Sequence, residues 1–408
     1  MLLAFEGLSR PVALVDSEML LQPLAAVLHG WRFGPVSADP GSAGGFAEAS
    51  AGAPPLITIR RAGGRYRVES PWLAAPVAYA DPVDAVCALI VDLVRAYVAD
   101  DPSLLCLHCG AAEFAGRLVI FPSRYRAGKS TLMARLAAAG SRVFADDVLP
   151  IAAPDNAGRA LGIAPRLRLP LPAGAGQDFR DFVAAHRGPG NRRYLYLDLP
   201  PETLVRYGAT APIGGFVLLD RRTAGPAELT AAPRGQGLQR AILHNFAHGA
   251  ALETVDRLAA LVAGGHCFTL RYSDLDAAAE LLRATFAAWP PRPPAARGDA
   301  AAPPAAAPRP RAAAPVAAGQ RFVRRPDVAV RELDHELFLV GADNRSIYHL
   351  NPIAAALWRL LDEPMPVEEA IGVLCEAFPE IDAARIEGDV NVLFADLTER
   401  GLLVAAPA

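Results

Sequence analysis

The chain has 408 residues, 52% of them hydrophobic, and a formal net charge of −3. That length exceeds one ordinary core and points to two or three folded units, while the near-neutral charge excludes a strongly basic nucleic-acid surface. No charged-then-apolar leader and no run of about 18 apolar residues is present, so no membrane partner is expected and the expected location is the cytoplasm. Five cysteines form no disulfide framework. Of the 40 basic residues, 39 are arginine and one, Lys129, is lysine. Lysine is a compact point charge and arginine a wide planar fork, so a lone lysine marks a place where the fork does not fit.

Residues 1–100 mix strand-like runs (Leu56–Ile59, Tyr66–Glu69) with a helix-like run from Pro82 to Val98. The patch ADPGSAGGFAEASAGAPP interrupts them, and no chemistry is legible in this part. From residue 101 to 288 strands and helices alternate, as expected of an α/β core. LLCLHC reads as one buried strand that holds Cys106 and Cys109 as small apolar residues. Arg117–Phe121 reads as the next strand, Lys129–Ala139 as a helix stopped by Gly140, and Arg142–Ala145 as a strand. GGFVLLD (214–220) and Cys267–Tyr272 read as further strands, with helices near Gly237–Ala250, Glu253–Val262 and Leu275–Trp289. Residues 289–319 are almost entirely Ala, Pro and Arg, a composition that stiffens toward polyproline II and makes a linker. In 320–408, strand-like runs at Arg321–Arg325, Val328–Leu333, Glu336–Val340 and Ser346–Leu350 precede helices near Pro352–Leu361, Pro366–Ala377 and Asp382–Arg400. This last region carries 16 acidic residues against 8 arginines, which disfavours DNA as its ligand.

The strand Arg117–Phe121 runs into PSRYRAGKST and then a helix. Gly128, Lys129, Ser130 and Thr131 end the phosphate-loop pattern G-x-x-x-x-G-K-[ST], in which backbone N–H groups at a helix start cradle phosphate oxygens. Lys129 falls on the position where the pattern wants an ammonium, Ser130 where it wants a hydroxyl on Mg²⁺, and Gly128 where the backbone must approach closely. The first glycine of the pattern is Ser123, and Arg124, Tyr125, Arg126 and Ala127 fill the loop, with Arg124 and Arg126 able to add charge around a phosphate. The stretch LHCGAAEFAGRLVIFPSRYRAGKSTLMARLAAAGSRVFADDVLPI resembles the catalytic core of HPr kinase/phosphorylase, with His108, Lys129 and the pair Asp146-Asp147 in the family's order. The resemblance implies ATP and Mg²⁺ as cofactors, Asp147 as the base that takes the hydroxyl proton, Asp146 with Ser130 at the metal, and His108 as an active-site histidine. It also implies a later essential arginine, for which Arg221 or Arg222 after GGFVLLD is a candidate, and association into homo-oligomers. The family's metal-binding glutamate has no counterpart in PRLRLPLPAGAGQDF, and HPr itself is not carried over as the substrate.

Residues 320–405 resemble the PqqD-like family of recognition domains for ribosomally made, modified peptides, through IYHLNPIAAALWRLLDEPMPVEEAIGVLCEAF and DVNVLFADLTERGLL. Asn351 reads as the cap of the first helix, with Ala355, Trp358, Val367, Ile371 and Leu374 directed into a core. In that family a leader peptide adds a strand to the sheet edge beside the last helix. The resemblance places that edge at Ser346, Ile347, Tyr348 and His349, walled by Asp389, Leu393 and Asp396. The expected fold is α/β: a P-loop kinase core of the HPr kinase/phosphoenolpyruvate carboxykinase type, followed by a small α+β winged-helix-like PqqD-type domain. The expected division is 1–100, 101–288, linker 289–319 and 320–408. The expected activity is ATP-dependent phosphorylation of a Ser or Thr hydroxyl on a precursor peptide, with other peptide-modifying enzymes as further partners. The alternatives are phosphorylation followed by elimination, and a non-catalytic nucleotide-binding peptide chaperone.

Overall fold

The computed structural model describes residues 1–36, 52–123, 127–291 and 319–406. The expected linker and the interrupting patch therefore lie largely outside the described residues. The chain divides into two compact units. The first comprises 1–232, 243–249 and 264–292, and the second 233–242, 250–263 and 293–408. Two stretches expected within the nucleotide-binding region thus group with the C-terminal residues.

In the first unit, strands β1 (Leu2–Phe5), β2 (Val12–Val15), β3 (Phe33–Pro35), β4 (Ile57–Ala62), β5 (Arg65–Glu69) and β6 (Val77–Tyr79) form a sheet of order β3-β1-β2-β4-β5-β6. The helix Pro82–Asp100 follows, its first turn capped by the Asp81 carboxylate, which accepts from the Val83 and Asp84 amides. Its buried face includes Val86, Leu89, Leu93 and Tyr97, at the spacing of one helix stripe. One hydrophobic core runs through these residues and on to Phe286, so residues 1–100 share their interior with the strands that follow.

Strands β7 (Leu105–Leu107) and β8 (Cys109–Phe114) correct the expectation of a single strand through LLCLHC. The chain leaves one sheet and enters another at His108. β7 joins β11 (Leu149–Ala152), β12 (Ala157–Arg159) and β16 (Thr210–Ala211) in the order β16-β12-β11-β7. β8 joins β9 (Arg117–Pro122), β10 (Arg142–Ala145), β17 (Ile213–Arg221), β18 (Glu228–Ala231) and β19 (His266–Tyr272) in the order β10-β8-β9-β17-β19-β18. Within that sheet β9, β17 and β19 are parallel. A fourth, small sheet holds β13 (Arg166–Arg168), β14 (Arg187–Gly190) and β15 (Tyr194–Leu197). The helix Lys129–Ala138 packs on β8, where Gly110 has no room for a side chain: a Cβ there would lie 2.9 Å from Met133 Sδ.

In the second unit, β20 (Arg321–Arg324), β24 (Met365–Pro366) and β25 (Leu403–Ala405) form one small sheet, and β21 (Ala329–Leu333), β22 (Glu336–Val340) and β23 (Ile347–Leu350) another, of order β21-β22-β23. The helices Pro352–Leu360, Val367–Ala377 and Ala383–Glu399 close a core around Trp358, Leu374 and Phe394. Asn351 caps the first as expected, its side chain accepting from the Ala354 amide at 2.9 Å. Every residue of β22 is buried. Leu337 and Leu339 face the three helices. Glu336 lies against Gly235, where a Cβ would come within 2.7 Å of its carboxyl carbon. The continuous run Leu-Phe-Leu-Val is what a strand covered on both faces requires.

The second face is fastened by charge. Arg234 donates to Asp334 from its backbone N–H and its guanidinium, each at 2.7 Å, and the Asp334 side chain is 1% exposed. Burial alone would raise the Asp334 pKa, but these hydrogen bonds outweigh it and hold the carboxyl below its ordinary value. Arg234→Ala leaves this carboxylate buried and unpaired, and is expected to destabilise the second unit by roughly 3 kcal/mol. Because the folded pKa is lowered, this stabilisation is present above the ordinary carboxylate pKa and is lost as pH falls through the folded value. Hydrogen exchange of the second unit checks this: the gap between wild type and variant should close in acid, and a gap that does not depend on pH contradicts it.

Candidate functional site

The candidate phosphate loop connects the end of β9 to the start of the Lys129–Ala138 helix. Gly128 caps the helix with φ of 92°, the left-handed region, which explains glycine at this position. The first-turn amides of Lys129, Ser130 and Thr131 are the groups that a helix start leaves without intrahelical partners. Lys129 is 7% exposed, and its ammonium donates to the Ser123 carbonyl at 2.8 Å. Burial lowers its pKa, and the charges of Asp147 and Asp146 act in the opposite direction. Ser123 is buried, with no hydrogen-bond partner for its hydroxyl among the described residues. Arg124 and Arg126 lie outside the described residues. Ala127 is half-buried, and its carbonyl is approached by the Tyr272 hydroxyl at 3.5 Å. Arg221 is exposed at the end of β17, in register with Tyr272 at the end of β19. It does not line the cavity described next.

Beyond β10 the chain turns through Asp146 and Asp147. Asp147 Oδ1 lies 3.2 Å from His108 Nδ1. His108 sits at the break between β7 and β8, its amide bonded to the His244 carbonyl at 2.8 Å. Desolvation lowers the His108 pKa and Asp147 opposes this, while Lys129 and Arg166 reinforce it. Asp146 is 6% exposed. One of its oxygens accepts from the Arg166 amide at 2.9 Å, and the other has no hydrogen-bond partner among the described residues. Burial first, and then the neighbouring Asp147 charge, push its pKa up to about 6; the Arg166 amide and Ser130 favour the anion. The Cys109 thiol is pushed up to about 12 by burial, and that of Cys106 is also raised, so both stay protonated near neutrality.

A cavity of about 330 Å³ opens against this group and is lined by His108, Ser130, Asp146 and Asp147. The structure thus brings together His108, Ser130 and both aspartates, with Lys129 buried beside them. Arg166 also lines the cavity. Its guanidinium lies 4.9 Å from the Tyr194 ring centroid and hydrogen-bonds with Cys87 and Tyr196, whose side chains are 3.1 Å apart. Desolvation opposes the Arg166 charge, but Tyr196 and Cys87 outweigh it and raise its pKa. Arg166, Tyr196 and Cys87 went unnoticed in the sequence because no fixed spacing joins them. The only signal was negative: Arg166 lies in the stretch that lacks the expected glutamate.

Asp146 and Ser130 suit Mg²⁺. An orphaned buried carboxylate oxygen next to a hydroxyl is a hard oxygen donor set. Among the described residues no three His, Cys, Asp or Glu side chains form a metal cage.

In the second unit β23 has one ladder partner, β22, among the described residues. Ser346, Ile347, Tyr348 and His349 are all half-buried along it. The Tyr348 ring lies under the Arg400 guanidinium, 5.1 Å from its centroid, and Arg400 Nε donates to Asp396 at 2.7 Å. The last helix therefore borders this strand as expected. Leu393 packs against the core, while Asp389 is exposed and 3.9 Å from Arg385. The His349 ring turns to the other face: it lies 2.6 Å from Glu336 Oε2 and 2.9 Å from Gln239.

Comparison with known proteins is informative for this unit. Residues 336–403 match the profile of the family described as Coenzyme PQQ synthesis protein D (PqqD). They form a PqqD domain. Among solved structures, TbiB1 in complex with the TbiA(beta) leader peptide is 21% identical and covers 21% of this chain and 99% of that one, with a TM-score of 0.19. The Hpr(Ser) kinase/phosphatase from Coxiella burnetii is 11% identical and covers 44% of this chain and 91% of that one, with a TM-score of 0.22. No curated protein matches the chain. Among the described residues no helix is long and apolar enough to cross a membrane.

Proposed function

We propose that the chain is an ATP-dependent kinase that phosphorylates a Ser or Thr hydroxyl of a ribosomally made precursor peptide, held through its leader on the PqqD domain. The observation that carries this reading is the convergence of His108, Ser130, Asp146 and Asp147 on one cavity, beside the buried Lys129 at a helix start. Phosphoryl transfer needs alignment and charge neutralisation more than covalent chemistry from the protein. The loop amides and the Lys129 ammonium supply the positive field for the phosphates. Asp146 and Ser130 would hold Mg²⁺, which neutralises charge on the transferring group. Asp147 is the carboxylate open to an incoming hydroxyl and receives its proton, and His108 positions it. Arg166 adds a cationic group on the same wall.

The leader adds a strand along β23, in the groove bordered by the Ala383–Glu399 helix. Holding the leader raises the effective concentration of a weakly bound acceptor at the kinase site. Proline placed in turn along the leader tests the strand mode on the full chain, because each proline removes one ladder donor. Proline in the paired stretch should weaken binding by roughly tenfold or more, from about 1–2 kcal/mol per lost buried hydrogen bond. Binding indifferent to the whole scan contradicts strand addition. Peptide mass after incubation with Mg·ATP tests the activity. A gain of one phosphate supports it; loss of one water indicates elimination, and no change indicates a chaperone.

A further inference from the structure

The cavity is larger than a serine hydroxymethyl group needs. At about 330 Å³ it falls at the lower end of small-molecule pockets, which run from roughly 300 Å³ upward. Its polar groups are those of the candidate site together with Arg95, which is paired with Asp92 at 3.2 Å. Much of the remaining wall is aliphatic and comes from the Pro82–Asp100 helix, through Ile90, Val91 and Val94, with Ile163 and Ala164 also lining it. Val91 is 40% exposed, an apolar side chain left in solvent where it borders this space. An acceptor filling only the Asp147 end would leave that wall hydrated.

We propose that the cavity binds a large apolar side chain next to the acceptor Ser or Thr in the substrate peptide, and that the Pro82–Asp100 helix sets this preference. The inference rests on the kinase reading only for the identity of the hydroxyl. It assigns a role to residues in which the sequence showed no chemistry: this helix supplies the specificity wall of a site whose reactive groups come from elsewhere in the unit. Continuity is the reason to place a peptide side chain there. The same space touches Asp147 and Ser130, so a residue one step along the chain from the reacting hydroxyl enters it directly. The aliphatic wall selects Leu, Ile, Met or Phe over a cationic residue, which would be desolvated there beside Arg95 and Arg166.

The test uses the full chain loaded with Mg·ADP and two capped tripeptides, Phe-Ser-Phe and Ala-Ser-Ala, with binding followed by ligand-detected NMR. The expected result is tighter binding of the Phe peptide by roughly tenfold to hundredfold, the worth of one buried aromatic side chain. Val91→Arg, a change at an exposed position that the fold tolerates, should abolish that preference. Equal binding of the two peptides, an unchanged preference in Val91→Arg, or displacement of the Phe peptide by adenosine each overturns the proposal. Phosphate transfer from Mg·ATP to the same peptides is scored separately. Preference without transfer removes the kinase reading and leaves the pocket, while transfer without preference removes the pocket and leaves the kinase.

Discussion

Lys129→Arg is expected to lower single-turnover phosphorylation roughly hundredfold to thousandfold, the range seen when one transition-state donor is lost, although formal charge is kept. The reason is shape. The Lys129 ammonium lies in a buried position, 2.8 Å from the Ser123 carbonyl. A guanidinium there needs a planar space wider than an ammonium occupies, and its charge is spread over the fork. The 39 arginines elsewhere in the chain make the substitution a stringent one. Calorimetric titration with Mg·ATP and circular dichroism on the same preparation separate loss of nucleotide from loss of fold. A variant that turns over at the wild-type rate contradicts a phosphate loop centred on Lys129.

Asp147→Asn is expected to lower phosphoryl transfer roughly hundredfold to ten-thousandfold, the contribution of a positioned general base, while Mg·ATP affinity stays within a few-fold. Asp147 is about half exposed and faces His108, so it can meet an incoming hydroxyl, and an amide cannot accept that proton. Asp146→Asn should differ. Asp146 is buried, bonded to the Arg166 amide and left with one orphaned oxygen, so its loss should weaken metal-dependent nucleotide binding more than the chemical step. Calorimetry beside single-turnover transfer for both variants reads the division of labour. Equal loss of nucleotide binding in both would make the pair a metal site alone. Retained transfer in the Asp147 variant would remove it as the base.

The elements nearest the chemistry were legible because their signals are local. Arg142–Ala145 and Glu336–Val340 are strands over the residues expected, and Asn351 caps its helix. Lys129, Asp146 and Asp147 announced themselves through motif position. For His108 an apolar run carries no signal of its own beyond the resemblance; it is the sheet change between β7 and β8 that places it beside Asp147. Arg166, Cys87 and Tyr196 were not legible, because they come from three elements joined only by tertiary packing. The grouping of residues 233–242 and 250–263 with the C-terminal unit left one readable trace. The run Leu337-Phe338-Leu339-Val340 is apolar on both alternating faces, which a strand half open to water would not be. The small strand β25 escaped notice because three residues after a helix carry too little periodicity to show pairing.

On the proposed reading, phosphate moves from a nucleotide at the Lys129 loop to a peptide held by the PqqD domain. The most direct test is a single turnover with γ-labelled Mg·ATP and precursor peptide, run with the leader attached and with the leader removed. Label is expected in the peptide on Ser or Thr when the leader is attached, with transfer greatly reduced when it is removed. Label released only as inorganic phosphate, or transfer to the peptide at the same rate with and without its leader, would contradict it.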